Sequence, residues 1–431
     1  MKVLQVIHGY PPRYNAGSEV YTQALAQALA QRNHVHVFTR EENPFAPEYE
    51  LRRESDAEDP RVTLHVVNHA QSRDRYCDEG VDRAFAQVLH EVSPDVVHIG
   101  HLNHLSMSIV DIVRRADTPV VMTLHDYWLL CPRGQFIQMT SPTSREPWQL
   151  CSGQHDVCCA TNCYARCFSG ERLARERDIS YWSAWVGTRM SKVKAMCRQV
   201  SYFIAPSRYL LRRFTEAMEL PVDRIGYLDY GFDHARLADR ERLPEKAFVF
   251  GYIGTHIPAK GVDVLVRAFG RVTGNAELRI WGRTRAETTA ALRRIADDLP
   301  PNVSRRISWQ GEYTNRAIVA DVFNRVDAIV VPSIWVENSP LVIHEAQQVR
   351  VPVITADAGG MAEYVRHGTN GLLFALRDVA GLTAAMQRFV DDPGFAARLG
   401  SRGYPASPTG DVPSMTAHVR EVERLYQRVA E

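Results

Sequence analysis

Short apolar runs rich in Val and Ile, each four to six residues long, recur along the chain and alternate with stretches whose apolar residues fall at helical spacing. Parallel strands need a helix-length return between them, so this alternation predicts parallel sheets joined by crossover helices. In the first half the predicted strands are Lys2 to Ile7, Val35 to Thr39, Val62 to Val67, Val96 to Ile99, Val120 to Leu124 and Tyr202 to Ala205. The pattern lapses in a charged stretch, Arg236 to Lys246, read as a linker. It restarts with Phe248 to Ile253, Glu277 to Trp281, Ile307 to Gln310, Ala328 to Val331 and Val351 to Thr355. Two α/β domains are expected, because 431 residues with 45% apolar content exceed what one ordinary core holds. A last segment, Met415 to Val429, spaces Val419, Val422, Leu425 and Val429 at helical intervals with no strand after it, and so needs a surface elsewhere to cover.

Lys plus Arg (51) nearly balances Asp plus Glu (50), which leaves no global field to attract a polyanion such as nucleic acid. An anionic ligand must be held locally. The apolar start, Met1 to Ile7, is stopped by His8-Gly9-Tyr10-Pro11-Pro12 and reads as a first strand rather than a signal peptide. No run of about 18 apolar residues is present, so a membrane-spanning helix is not expected. A cytoplasmic location is expected, where the eight cysteines read as thiols or metal ligands rather than disulfides.

Three segments after predicted strands carry chemistry. In Pro332 to Ala346 a strand ends near Val331, a loop follows, and Ser339-Pro340 reads as the N-cap and first residue of a helix. Such a helix N-terminus at the carboxyl end of a parallel strand favours a diphosphate. Glu337 lies in the loop and Glu345 on the helix, where carboxylates suit sugar and ribose hydroxyls. In Ile253 to Gly261, Gly254 permits close backbone approach and Lys260 supplies a point charge for phosphate. The third segment is Asp357 to Glu363, with Gly359-Gly360.

Together with Asn370-Gly371-Leu372-Leu373-Phe374, these residues resemble the donor site of glycosyltransferase family 4, which has the GT-B fold: two Rossmann-like domains with parallel sheets facing across a cleft. Glu337 and Glu345, with seven residues between them, match its paired glutamates. The resemblance extends to Ala16-Gly17-Ser18-Glu19, Thr123-Leu124-His125-Asp126-Tyr127, Ala205-Pro206-Ser207 and Tyr230-Gly231-Phe232-Asp233. It implies an acceptor-side domain at 1–240, a nucleotide-sugar domain at 246–400 and a final segment, 401–431, whose helix returns to the first domain.

The resemblance also implies residue roles. Lys260 contacts the diphosphate, Glu345 the ribose, and Glu337 the transferred sugar. Amides near Asn338, Ser339, Pro340 and Leu341 complete its cradle. His125 stands beside the anomeric centre and Gly17 approaches phosphate and acceptor. Where the family has an arginine this chain has Thr255, also counted on the donor side, so part of the charge must come from Arg283 or Arg285. Pro340 replaces a glycine and removes one amide donor.

The implied reaction is a retaining, metal-independent front-face transfer from a nucleotide-diphosphate sugar, UDP preferred and GDP next. The implied acceptor is a saccharide or lipid-linked glycan in bacterial polysaccharide or glycoconjugate assembly. A glycosidase-like carboxylate pair is not indicated, since a helical stretch from Glu337 to Glu345 would separate them by about 12 Å, against about 5 Å for a retaining hydrolase. Rival readings are a nucleotide-sugar epimerase of the same fold and a non-catalytic sugar-nucleotide or metal-sensing module.

A cysteine-rich insertion is expected at about 131–170. Cys159, Cys163 and Cys167 recur every four residues and would share a helix face. With Cys131 and Cys151, they suggest a structural zinc on Cys131, Cys151, Cys163 and Cys167, with Cys158 and Cys159 as alternates. An iron–sulfur cluster and free or oxidised thiols are the other readings. Beyond it, Arg172 to Arg198 is basic and helical in pattern, with Trp182 and Trp185. It reads either as a contact with the inner face of an anionic membrane or as an ordinary packed helix. His98, His101 and His104 are assigned ordinary structural roles, with lining of the acceptor side as the other reading.

Overall fold

A computed structural model describes residues 1–70, 76–139, 148–164, 176–238, 240–243 and 245–431. The chain divides into two compact units. The first comprises Met1–Gly231 and Met415–Glu431; the second is Phe232–Ser414.

The first unit is built on eight strands: β1 (Lys2–Val6), β2 (His34–Glu41), β3 (Leu51–Ser55), β4 (Val62–Asn68), β5 (Val96–Ile99), β6 (Val120–Thr123), β7 (Tyr202–Ala205) and β8 (Ile225–Tyr227). Their order across the sheet is β3-β4-β2-β1-β5-β6-β7-β8, parallel throughout except where β3 pairs with β4. Val3, Leu4, Val6, Val96, Val97 and Ile99 are fully buried, which is why these runs read as uninterrupted apolar residues. β3 and β8 escaped sequence reading for the opposite reason. Leu51–Ser55 is a charged edge strand with no buried residue, and Ile225–Tyr227 is only three residues long.

The second unit has six parallel strands: β9 (Phe248–Ile253), β10 (Ala276–Trp281), β11 (Ile307–Gly311), β12 (Ala328–Val331), β13 (Val353–Ala356) and β14 (Gly371–Phe374). The order is β11-β10-β9-β12-β13-β14. Strand order reverses direction between β9 and β12 here, and between β1 and β5 in the first unit. Open parallel sheets bind ligands beyond the carboxyl ends of strands at such reversals.

The boundary falls nine residues before the 240 expected from sequence. The Phe232 amide donates to Pro413 O (2.9 Å) and the Arg240 guanidinium to Phe323 O (3.0 Å), so this charged stretch belongs to the second unit. Residues 401–414 also stay with that unit, and only Met415 onward joins the first. The Met415–Ala430 helix buries Val419, Val422 and Tyr426 there. Tyr426 Oη lies 2.6 Å from His98 Nδ1, and His418 Nε2 lies 2.7 Å from Tyr21 Oη. The surface its apolar stripe required is thus supplied by the first unit.

The insertion differs from expectation. Asp156–Cys159 forms one α-helical turn and Ala160–Tyr164 continues as a π-helical turn, which changes the spacing that would have aligned the cysteines. Cys167 lies outside the described residues. Cys163 packs with Tyr164 and Val186, and Cys159, Trp182 and Trp185 pack against them. Burial pushes the Cys159 thiol up to about 12 and Cys163 to about 11, with Cys131 and Cys151 close enough to raise both further. The Cys151 thiol donates to Gly153 O at 3.0 Å, and Cys158 Sγ accepts from Asn162 Nδ2 at 3.2 Å. Among the described residues no group of three or more His, Cys, Asp or Glu side chains is arranged to hold a metal ion. The expected zinc site also drew on Cys167, which lies outside the described residues.

The basic segment forms the Glu176–Cys197 helix; residues 172–175 lie outside the description. Its tryptophans face protein. Trp185 meets Tyr76 and Tyr164 with ring centroids 5.3 and 5.2 Å apart, and Trp182 stacks on Tyr164 at 5.1 Å. Arg189 is 1% exposed and donates to Trp128 O at 2.6 Å. The packed-helix reading holds for the tryptophans. No helix among the described residues is long and apolar enough to cross a membrane.

Candidate functional site

In the second unit, three segments expected to converge do meet, through backbone contacts that only glycine allows. The loop after β12 carries Ser333, Glu337, Asn338 and Ser339, all buried. On one side Ile334 N donates to Ala259 O (2.9 Å), which ties it to the loop after β9. Gly261 there has φ +65°, and a Cβ on it would come 2.1 Å from Pro332 O. On the other side Gly360 N donates to Glu337 O (2.9 Å), and a Cβ on Gly360 would come 1.3 Å from Asn338 O. The loop is clamped between Gly261 and Gly359-Gly360. The carboxylate it carries is held to match.

Glu337 is 6% exposed. Its Oε1 accepts from Lys260 Nζ at 2.7 Å and from the Ser333 hydroxyl. The desolvated carboxylate is thus compensated by a charge and a hydrogen bond, as a buried anion requires. Beyond the loop the helix runs Leu341–Gln348, and its cap is Pro340 rather than Ser339. Pro340 is extended (ψ 117°) and makes no side-chain capping hydrogen bond to the first turn. An uncapped helix start beside an ammonium group is suited to an anion.

Glu345 sits on the second turn of this helix. It is 5% exposed, and its Oε1 accepts from Arg236 Nη2 at 2.6 Å. Arg236 also donates from Nη1 to Asn315 O at 2.9 Å. Two phenols lie between the pairs. Tyr252 feels Glu337 and Tyr313, while Tyr313 feels Glu345 and Arg236; burial first, then the neighbouring carboxylate, pushes both well above the usual phenol range. They remain neutral.

Thr255 lies in the β9 loop, where its carbonyl accepts from Tyr252 Oη at 3.2 Å. The Arg283 guanidinium stands 3.9 Å from Glu312, both partly exposed. The Arg285 amide serves the next helix, donating to Thr289 Oγ1 at 2.9 Å. Sequence reasoning missed Arg236, Ser333 and Tyr313. Arg236 was read as part of a charged linker, and no spacing rule connects it to a residue 109 positions later.

In the first unit, His125 follows β6. Its Nδ1 lies 2.7 Å from Tyr230 Oη, and its ring stacks on Tyr230 (5.7 Å, 17°) with Tyr21 edge-on at 5.4 Å. Burial, then His101 and His98, holds its pKa well below the ordinary value, so the imidazole is neutral at pH 7. Gly17 opens the Gly17–Leu29 helix after β1, and its cap, Ala16, makes no side-chain hydrogen bond. Next to it His8 Nε2 lies 3.4 Å from Glu19 Oε1. The Asn103 amide donates to His101 Nδ1 at 2.9 Å, which leaves the proton on Nε2, 3.3 Å from Asp126 Oδ1.

The sequence profile described as Glycosyltransferase Family 4 matches residues 15–236, just over half of the chain. The chain belongs to glycosyltransferase family 4. A second profile, Glycosyl transferases group 1, matches residues 247–392. Among curated proteins, this family 4 chain is 31% identical over 238 residues to a GDP-mannose-dependent monoacylated alpha-(1-6)-phosphatidylinositol monomannoside mannosyltransferase of Corynebacterium glutamicum. That match covers 52% of this chain and 61% of the relative. It is 30% identical over 225 residues to a glycogen synthase of Mycobacterium tuberculosis, covering 50% and 53%. The chain thus spans between half and two thirds of the length of these relatives.

Among solved structures it is similar to Anabaena Alr3699/HepE in complex with UDP and glucose (TM-score 0.69, 16% identity, 99% of each chain). It is also similar to the sucrose-phosphate synthase of Thermosynechococcus elongatus (TM-score 0.69, 18% identity, 99% and 98%). These likenesses give the fold, which is GT-B.

Proposed function

We propose that this family 4 protein is a retaining glycosyltransferase that moves a hexose from a nucleotide-diphosphate sugar to a saccharide or lipid-linked acceptor without a catalytic metal. The observation carrying this reading is the convergence, at the strand reversal of the second unit, of an ammonium group, an uncapped helix start and two buried carboxylates. A diphosphate fits the first two and sugar hydroxyls fit the carboxylates.

In the mechanism the departing diphosphate takes the acceptor's proton on the face from which it leaves. Lys260 and the amides at the start of the Leu341–Gln348 helix stabilise its growing charge. Glu337 holds the sugar, Glu345 the ribose, and the neutral His125 orients the sugar near its anomeric carbon as a hydrogen-bonding group. Gly17, at the start of the Gly17–Leu29 helix, takes the role of approaching phosphate and acceptor that the family resemblance implies. UDP is the preferred nucleotide and GDP the next. These match the UDP named for the Anabaena structure and the GDP-mannose named for the mannosyltransferase. The working location is cytoplasmic, with a lipid-linked acceptor presented at the inner membrane face.

The test is a screen of UDP-, GDP- and dTDP-sugars against saccharide and lipid-linked acceptors, with and without EDTA, and with product anomers read by NMR. Retention and unchanged rate in EDTA are expected. Lys260→Ala and Glu337→Ala should each lower turnover by about 10²-fold or more; wild-type rates in both would refute the assignment. Donor consumed without acceptor, giving an epimeric sugar, would favour the epimerase reading.

A further inference from the structure

The Arg236–Glu345 pair is the best-defined feature of the site that family resemblance does not assign. Glu345 Oε1 is taken by Arg236 Nη2 at 2.6 Å, while Oε2 has no hydrogen-bond partner among the described residues. Arg236 is itself held from a second side, its Nη1 donating 2.9 Å to Asn315 O in the turn after β11. A planar guanidinium bonded at both amino groups fixes direction as well as charge, which an ammonium on a flexible stem does not. The two side chains are 18% and 6% exposed, so withdrawing the arginine would leave a desolvated carboxylate uncompensated.

We infer that Arg236 is a positioning residue for nucleoside recognition: by anchoring one oxygen of Glu345 to the β11 turn, it aims the other at a vicinal ribose diol and so sets the preference for ribonucleotides. This rests on the proposed donor site. It adds that discrimination of the sugar of the nucleotide depends on a residue from the charged stretch at the start of the second unit. A neutralising counter-ion alone, or an arginine competing with the diol for Glu345, would behave differently on removal.

The test measures binding of UDP and 2′,3′-dideoxy-UDP, and of GDP and its dideoxy counterpart, by calorimetry to the full chain. The wild-type protein should prefer the ribose form by roughly tenfold or more, the worth of hydrogen bonds to a charged group. In Arg236→Met the ratio should fall toward one while dideoxy binding stays within about twofold of wild type; Arg236→Lys should give an intermediate ratio. Circular dichroism checks folding, and the lysine variant carries the test if the methionine variant does not fold.

If the wild-type protein binds neither UDP nor GDP, the donor-site reading itself fails and this inference with it. If it binds both with the ribose preference, three outcomes overturn the inference alone. An unchanged ratio in the variants is one. Equal weakening of ribose and dideoxy forms, the mark of a purely structural role, is another. Tighter UDP binding in Arg236→Met, the mark of a competing side chain, is the third.

Discussion

At the residue scale the site is a set of charges placed where water is scarce, so each side chain's state depends on its partner. Glu337→Gln preserves shape and the contact with Ser333 but removes the charge facing Lys260. Turnover is expected to drop about 10²-fold with the denaturation midpoint changed far less than in Glu337→Ala, which leaves a hole as well. His125 is expected to stay neutral from pH 8 to well below its ordinary pKa, because burial disfavours the imidazolium. Nitrogen-edited NMR of the ring should show no titration near pH 6.5, and a midpoint there would contradict the environment described. Lys260, Glu337 and Glu345 could be placed from sequence because each follows a predicted strand end, and His125 through the family resemblance. Arg236 was not, because its partnership is made by folding and not by spacing.

At the element scale, glycine decides where the loops stand. Gly360→Ala would force a Cβ to within 1.3 Å of Asn338 O, and backbone cannot yield as a flexible side chain can. A loss of about 2 kcal/mol or more is expected from chemical denaturation, with donor binding lost before the protein unfolds, since the Glu337 loop moves first. The Met415–Ala430 helix depends on a different contact. Tyr426→Phe removes the hydroxyl 2.6 Å from His98 Nδ1 and should cost about 1–3 kcal/mol, read by the same method, because that nitrogen is buried. Most strands were readable where they are buried and continuous; β14, which opens on Gly371, was read only as part of a glycine motif. β3 and β8 were not, one being charged and the other too short to show a period. In the insertion the turn Ala160–Tyr164 is π-helical, and such a turn does not keep the register that four-residue spacing has on an α-helix.

At the scale of the molecule, the two units differ in how they should respond to acid. Within the first, burial lowers His98 to about 3 and His65, His104 and His418 to about 4. A histidine depressed in this way binds fewer protons folded than unfolded between about pH 6.5 and its folded value. Stability therefore falls as pH drops through that window, by at most about 1.4 kcal/mol per pH unit for each such group. Hydrogen exchange followed from pH 7 to 4.5 should show the first unit losing protection before the second; simultaneous loss would argue against these histidines as the cause.

The sequence by itself determined the two α/β units, nearly all their parallel strands, the returning helix and the residues that follow each strand tip, because periodicity, capping and glycine placement are local properties. Tertiary structure decided which of those residues share an environment: Arg236 on Glu345, Lys260 on Glu337, and Cys159 and Cys163 packed with Tyr164, Val186, Trp182 and Trp185. The reason is that desolvation and pairing are set by what packs around a group. Packing partners dozens of positions apart carry no periodic signal along the chain.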